Sequence, residues 1–196
     1  SPELTDLHHY EELDARPRLR GRIHLGAAFV SVAALAWLVG VAATPRAELA
    51  AWVYGLSAIA CYATSGIYHV FARSPVARRR WRQADHAMIY VLIAGTATPM
   101  YLLAASGMWR WVMFGLMWAG AGVGITLKLV SIERFRVAGG VLYIGLGWMG
   151  LALIPNFWDR PRLLMLVVIA GVTYTVGAVL FAQGRPNPIP RWFGYH

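Results

Sequence analysis

Apolar residues fall along the chain in six runs of about 20, parted by short polar turns, at roughly 23–43, 49–71, 84–105, 109–130, 137–157 and 163–182. A helix of about 20 apolar residues is what crossing a bilayer's hydrocarbon core requires. The runs carry apolar residues nearly all round rather than on one stripe, as lipid-facing helices do and soluble amphipathic ones do not. The pattern therefore predicts an all-α, polytopic membrane helix bundle. Residues 1–21 form a polar amino tail and residues 22–196 the transmembrane helical domain.

Composition agrees: 58% of the 196 residues are hydrophobic and 14% charged, against about 25% charged in soluble domains. The amino tail holds five of the nine acidic residues and lacks the basic start and apolar core of a cleavable leader. The chain begins at Ser1 without methionine, so a trimmed amino end is expected. His8 and His9 lie in this charged tail and are read as solvated. The net charge of +9 does not point to nucleic acid, because the basic residues cluster at the ends of runs and form no continuous face.

Their distribution reports orientation instead. Of the 18 arginine and lysine residues, fourteen lie in the amino tail, the second and fourth loops and the carboxyl tail, and four (Arg46, Arg110, Arg160, Arg162) in the other loops. Positive residues collect on the cytoplasmic side, so the amino terminus is expected in the cytosol, with the arginines touching anionic lipid. The single cysteine, Cys61, lies inside an apolar run and supports neither a disulfide framework nor a CxxC metal motif. Glycines in the fourth, fifth and sixth runs give small-residue faces for close helix contact. Trp109, Trp111, Trp148, Trp158 and Trp192 lie mostly near run ends, as an interfacial belt would.

Candidate chemistry concentrates between Ser65 and Asp85. Ser65 and His69 are four residues apart and share a helix face. Asp85 is the one carboxylate followed directly by a long apolar run. A carboxylate at the inner end of a span should face the bundle and find a partner, which could equally be Arg82 or the amino end of its own helix. His24, His86 and His196 also fall near the inner interface. Four histidines and one carboxylate at one depth could supply the three or four N and O donors of a zinc site, and spacing alone does not say which converge.

The run Arg16–His24, Ser65-x-x-x-His69, the block Asp85-His-x-x-Ile-Tyr-x-Leu-Ile-Ala-Gly-Thr-x-Thr-Pro99 and Tyr174-x-x-Gly177 together resemble the hemolysin III family, the bacterial branch of the progestin and adipoQ receptor superfamily. The resemblance runs from about residue 16 to the end. It implies a seven-helix bundle in the bacterial plasma membrane, with zinc near the cytoplasmic face. The metal is then held by His69 and by a His-x-x-x-His pair opening helix seven, of which His196 would be the first. Asp85 would hold a zinc-bound water, with Ser65 beside it. The chain stops at His196, short of the second histidine and the seventh helix. Either a longer product is expected, which is favoured, or the site is crippled.

By analogy with ceramidase-like members of the wider superfamily, the resemblance implies a zinc-dependent hydrolase of lipid amides or esters at the inner leaflet, with Asp85 and Ser65 catalytic. The alternative is a membrane-homeostasis regulator or receptor-like protein in which zinc is structural. Cytolytic pore formation ranks lower, for want of a long amphipathic segment. Ion transport would want several buried acids where there is only one. Substrate and oligomeric state are not legible.

Overall fold

The computed structural model describes residues 19–183. Six helices follow in order: α1 (Arg20–Gly40), α2 (Pro45–Val70), α3 (Pro75–Ala104), α4 (Gly107–Val130), α5 (Arg136–Trp148), which continues as a 3₁₀ stretch over Met149–Phe157, and α6 (Pro161–Ala182). The described residues are 88% helical, and six helices among them are long and apolar enough to cross a membrane. No strand occurs among the described residues, so the all-α membrane bundle read from the sequence holds. Most of the predicted polar tail lies outside the described residues.

Local chemistry fixes where helices begin. The Thr44 hydroxyl accepts the Ala47 N–H at 3.1 Å and Pro45 occupies the first helical position of α2. Ser74 and Pro75 do the same for α3, with Ala77 N–H donating at 3.2 Å. Both are N-cap arrangements, with proline where its missing N–H costs nothing. Gly107, at φ 55°, supplies the left-handed residue that turns the chain from α3 into α4. Because α3 starts at Pro75, well before the apolar run at 84, the arginines at 78–80 and 82 lie on its first turns and not in a loop.

Consecutive helices pack antiparallel. Leu25 fills the space over Gly66 and Leu35 that over Gly55, each 2.6 Å from where a glycine Cβ would stand, so α1 lies in one register on α2. Ser57 of α2 sits directly against Gly95 of α3, and the Tyr90 ring of α3 against Gly124 of α4. Leu146 of α5 covers Gly120, 2.7 Å from its missing Cβ. In a bilayer, helices associate mainly through close packing and interhelical hydrogen bonds, and small residues permit both. The buried cluster is built from Tyr90, Ala94, Ala97 and Tyr101 of α3, Met113, Met117 and Ala121 of α4, Leu146 of α5, and Leu153 and Phe157 beyond it. Helix α3 is thus central, touching α2, α4, α5 and the 3₁₀ stretch.

Polar groups inside the bundle are largely satisfied by side chains. Pro99 cannot donate to the Gly95 carbonyl; one residue before it, the Thr98 hydroxyl donates to Ala94 O at 2.7 Å and accepts from Trp118 Nε1 at 3.1 Å, tying α3 to α4. Tyr90 OH donates to Gly139 O at 2.8 Å and Tyr174 OH to Tyr143 O at 2.6 Å, joining α3 to α5 and α5 to α6. Helix α6 is peripheral, with none of its apolar window buried within the fold.

The glycine contacts are testable. Gly95→Val and Gly124→Val should each destabilise the protein by about 1–3 kcal/mol through overpacking, whereas Gly26→Ala, with open space around it, should be near neutral. Denaturant titration in detergent micelles would distinguish them.

Candidate functional site at the arginine-rich end

The end of the bundle that carries Arg22, Arg73, Arg78–Arg80 and Arg82 also carries every candidate site residue described. Ser65 is buried, 3% exposed, and His69 stands in the last turn of α2. The amino end of α1 closes on them: a Cβ at Gly21 would stand 2.7 Å from His69 Cβ and 3.2 Å from Gly66 O. Only a residue without a side chain lets the two backbones meet there. One turn along α1, His24 meets the Tyr62 ring edge-on at 5.6 Å.

Asp85 enters from α3. Ten residues from Gly95 toward this end reach Asp85, and ten from Ser57 reach Ile67, so the antiparallel register of the Ser57–Gly95 contact brings Asp85 level with the turn Ser65–His69. The register therefore sets Asp85 of α3 at the same level as Ser65 and His69 of α2.

His86, the next residue, points about 100° away. Its charged neighbours are Arg82 one turn earlier on the same helix, Lys128 of α4 and Glu133 of the loop that follows. His24 faces α2 through Tyr62. His196, the other expected ligand, lies outside the described residues. Among the described residues no group of three His, Cys, Asp or Glu side chains could hold a metal ion. His69 offers a nitrogen donor of the kind that suits zinc, and Asp85 a carboxylate at its level, but the three ligands that zinc requires are not gathered among the described residues.

Contacts across α3, α4 and α5 hold this end together. Arg82 donates to Glu133 at 2.9 Å, and Gln83 Nε2 donates to Leu129 O at 2.8 Å, covering a carbonyl that the end of α4 leaves open. Sequence reasoning missed Lys128, the protein's single lysine, which is 8% exposed and points at Gly139. It was counted as a loop cation; its position four residues after Gly124, on the face that packs against α3, was the available signal.

Such a bundle defines a multi-pass integral membrane protein with a polar cluster at one end. The haemolysin-III related family model matches residues 14–196, and the chain belongs to that family. It is 32% identical over 140 residues to Hemolysin-3 of Bacillus cereus (70% of this chain, 64% of that protein) and 28% identical over 131 residues to the Hemolysin-3 homolog of Bacillus subtilis (66% and 61%). The human monocyte to macrophage differentiation factor is 23% identical over 138 residues, covering 68% of this chain and 58% of that protein. The chain thus spans less than two thirds of these relatives' length.

Glu133 lies between α4 and α5, outside the spans. Its own backbone N–H and the Arg82 guanidinium hold its carboxyl below the usual carboxylate range. A depressed folded-state value contributes stability above the unfolded value of about 4.3 that is lost as pH falls through the folded one. Both partners are exposed, so the effect is small. Melting temperatures taken from about pH 6 to about pH 3 should fall less steeply for Glu133→Gln than for the wild type.

Proposed function

We infer that this protein is a zinc-dependent hydrolase of lipid amides or esters, working at the inner leaflet of the bacterial plasma membrane. The observation that carries the inference is the level shared by Asp85, the only acidic residue set in an apolar span, with the Ser65–His69 turn across a close-packed interface. A carboxylate so placed faces the bundle and not the lipid. His69, with His196 and a further ligand, would hold the metal, which when bound supplies a Lewis acid and lowers the pKa of a water to about 7. Asp85 would orient that water and take its proton. The Ser65 hydroxyl, buried one turn from His69, would donate to the oxygen that gains charge as the lipid carbonyl is attacked.

The packing of Gly21 against His69 favours a second reading, in which zinc is structural and ties the helix ends together in a regulator or receptor-like protein. Metal analysis of the full-length protein beside His69→Ala, with lipid profiling of membranes holding each, separates the two. Under the hydrolase reading, His69→Ala loses zinc and lipid turnover together, while Asp85→Asn keeps zinc and loses turnover by at least a hundredfold, the general-base contribution. Unaltered turnover in Asp85→Asn would sink the catalytic assignment. Chelation that lowers the melting temperature without changing any lipid would support the structural one, and zinc missing from both proteins would remove the metal altogether.

A further inference from the structure

Helices α1 and α3 lie against opposite sides of α2. Gly66, which meets Leu25 of α1, and Ser57, which meets Gly95 of α3, are nine residues apart and so about 180° apart round the helix. Ser65, His69 and Tyr62 stand about 80°, 120° and 140° round from Ser57, all on one flank between the two contacts. The opposite flank carries Leu49, Trp52 and Leu56, all exposed, as side chains turned to lipid are.

His24 reaches the first flank from α1. Its imidazole meets the Tyr62 ring at 5.6 Å, and it is half-buried while Arg22, Ile23 and Gly26 around it are exposed. The next residue fixes its depth: Leu25 N lies 3.2 Å from where a Cβ of Gly66 would stand, so the backbone at His24 runs beside Gly66, the neighbour of Ser65. Gly21, one turn nearer the arginine-rich end, makes the same approach at His69. An imidazole from α1 and, through the register of Ser57 on Gly95, a carboxylate from α3 therefore come to the level of Ser65 and His69 from the two sides of α2.

Packing does not account for His24. Leucines fill the α1–α2 interface where it needs filling, over Gly55 and Gly66. A histidine serving only as an interfacial polar group would stand exposed, as Arg22 does. An ionisable ring turned inward at a span end is where function is expected.

We propose that His24 is the proton donor to the leaving group, and that the substrate is a lipid amide rather than an ester; this rests on the hydrolase reading. As the oxygen of water bonds the carbonyl carbon, its proton passes to Asp85. As the carbon–nitrogen bond breaks, its electron pair stays on nitrogen, which takes the imidazolium proton and leaves as the amine. The proton on Asp85 returns to His24 through solvent, and the carboxylic acid departs. An amide nitrogen is too poor a leaving group to depart as an anion, whereas an ester oxygen departs far more readily, so an acid opposite the base matters chiefly for the amide.

The test gives the full-length protein, in phosphatidylcholine nanodiscs, an N-acyl lipid and its O-acyl ester analogue, with zinc content measured beside turnover. His24→Gln should keep its zinc, lose amide cleavage about a hundredfold or more, and lose ester cleavage by less than about tenfold. His24→Ala, which leaves room for the missing ring, should regain amide cleavage when imidazole is added, and carries the test if His24→Gln does not fold. A wild type that cleaves neither lipid would overturn the hydrolase reading and this role with it. A wild type that cleaves both, with His24→Gln slowing them equally or not at all, would overturn the role alone. Zinc lost from His24→Gln would make His24 a ligand and overturn it too.

Discussion

The contact of Ser57 with Gly95 sets the geometry of the polar end of the bundle. Helices α2 and α3 approach so closely that no side chain fits at Gly95, and in lipid such packing is the main attraction available between helices. Once that register is fixed, Asp85 stands at the level of Ser65 and His69. The next residue, His86, points about 100° away, with Lys128 of α4 among its charged neighbours. One interhelical contact, ten residues away, thereby assigns adjacent side chains to different neighbourhoods.

Helix α3 is suited to that role because it is longer than the membrane. Thirty residues at 1.5 Å each reach about 45 Å, against a hydrocarbon core of about 30 Å. Its first turns, with Arg79, Arg80 and Arg82 in solvent, stand clear of the apolar run, and Asp85 and His86 mark where it begins. The polar ties at this end, Arg82 to Glu133 and Gln83 to Leu129, come from that projecting part. They fix α3 against α4 and the following loop at the level where solvent gives way to lipid.

Much of this was legible in the sequence, and the missing parts share a cause. Six helices follow from apolar run length, since lipid leaves the backbone no other partners. Ser65 and His69 sharing a face needs only the helical repeat. Which acid or histidine faces which neighbour depends on interhelical register, and that is set by pairs such as Leu25 with Gly66 or Tyr90 with Gly124, which no run length encodes. The start of α3 was misread for a related reason: arginines mark the edge of the lipid, whereas Ser74 and Pro75 mark the start of the helix. Lys128 escaped notice because a cation at a span end is ordinarily solvated, and its burial depends on Gly139 admitting it.

The change from α-helix to 3₁₀ within the fifth span alters its reach. A 3₁₀ segment rises about 2.0 Å per residue against about 1.5 Å in an α-helix. Thirteen α-helical residues followed by nine 3₁₀ residues therefore cover about 37 Å, where an unbroken α-helix of the same chain length would cover about 33 Å. The extra length falls beyond Trp148, and Asn156 Nδ2 donates from it to Ala104 O at the end of α3. The fifth span can thus match the outer end of its longer neighbour with fewer residues, and a bilayer that thins or thickens meets, on this side of the bundle, a segment whose pitch differs from that of the other five.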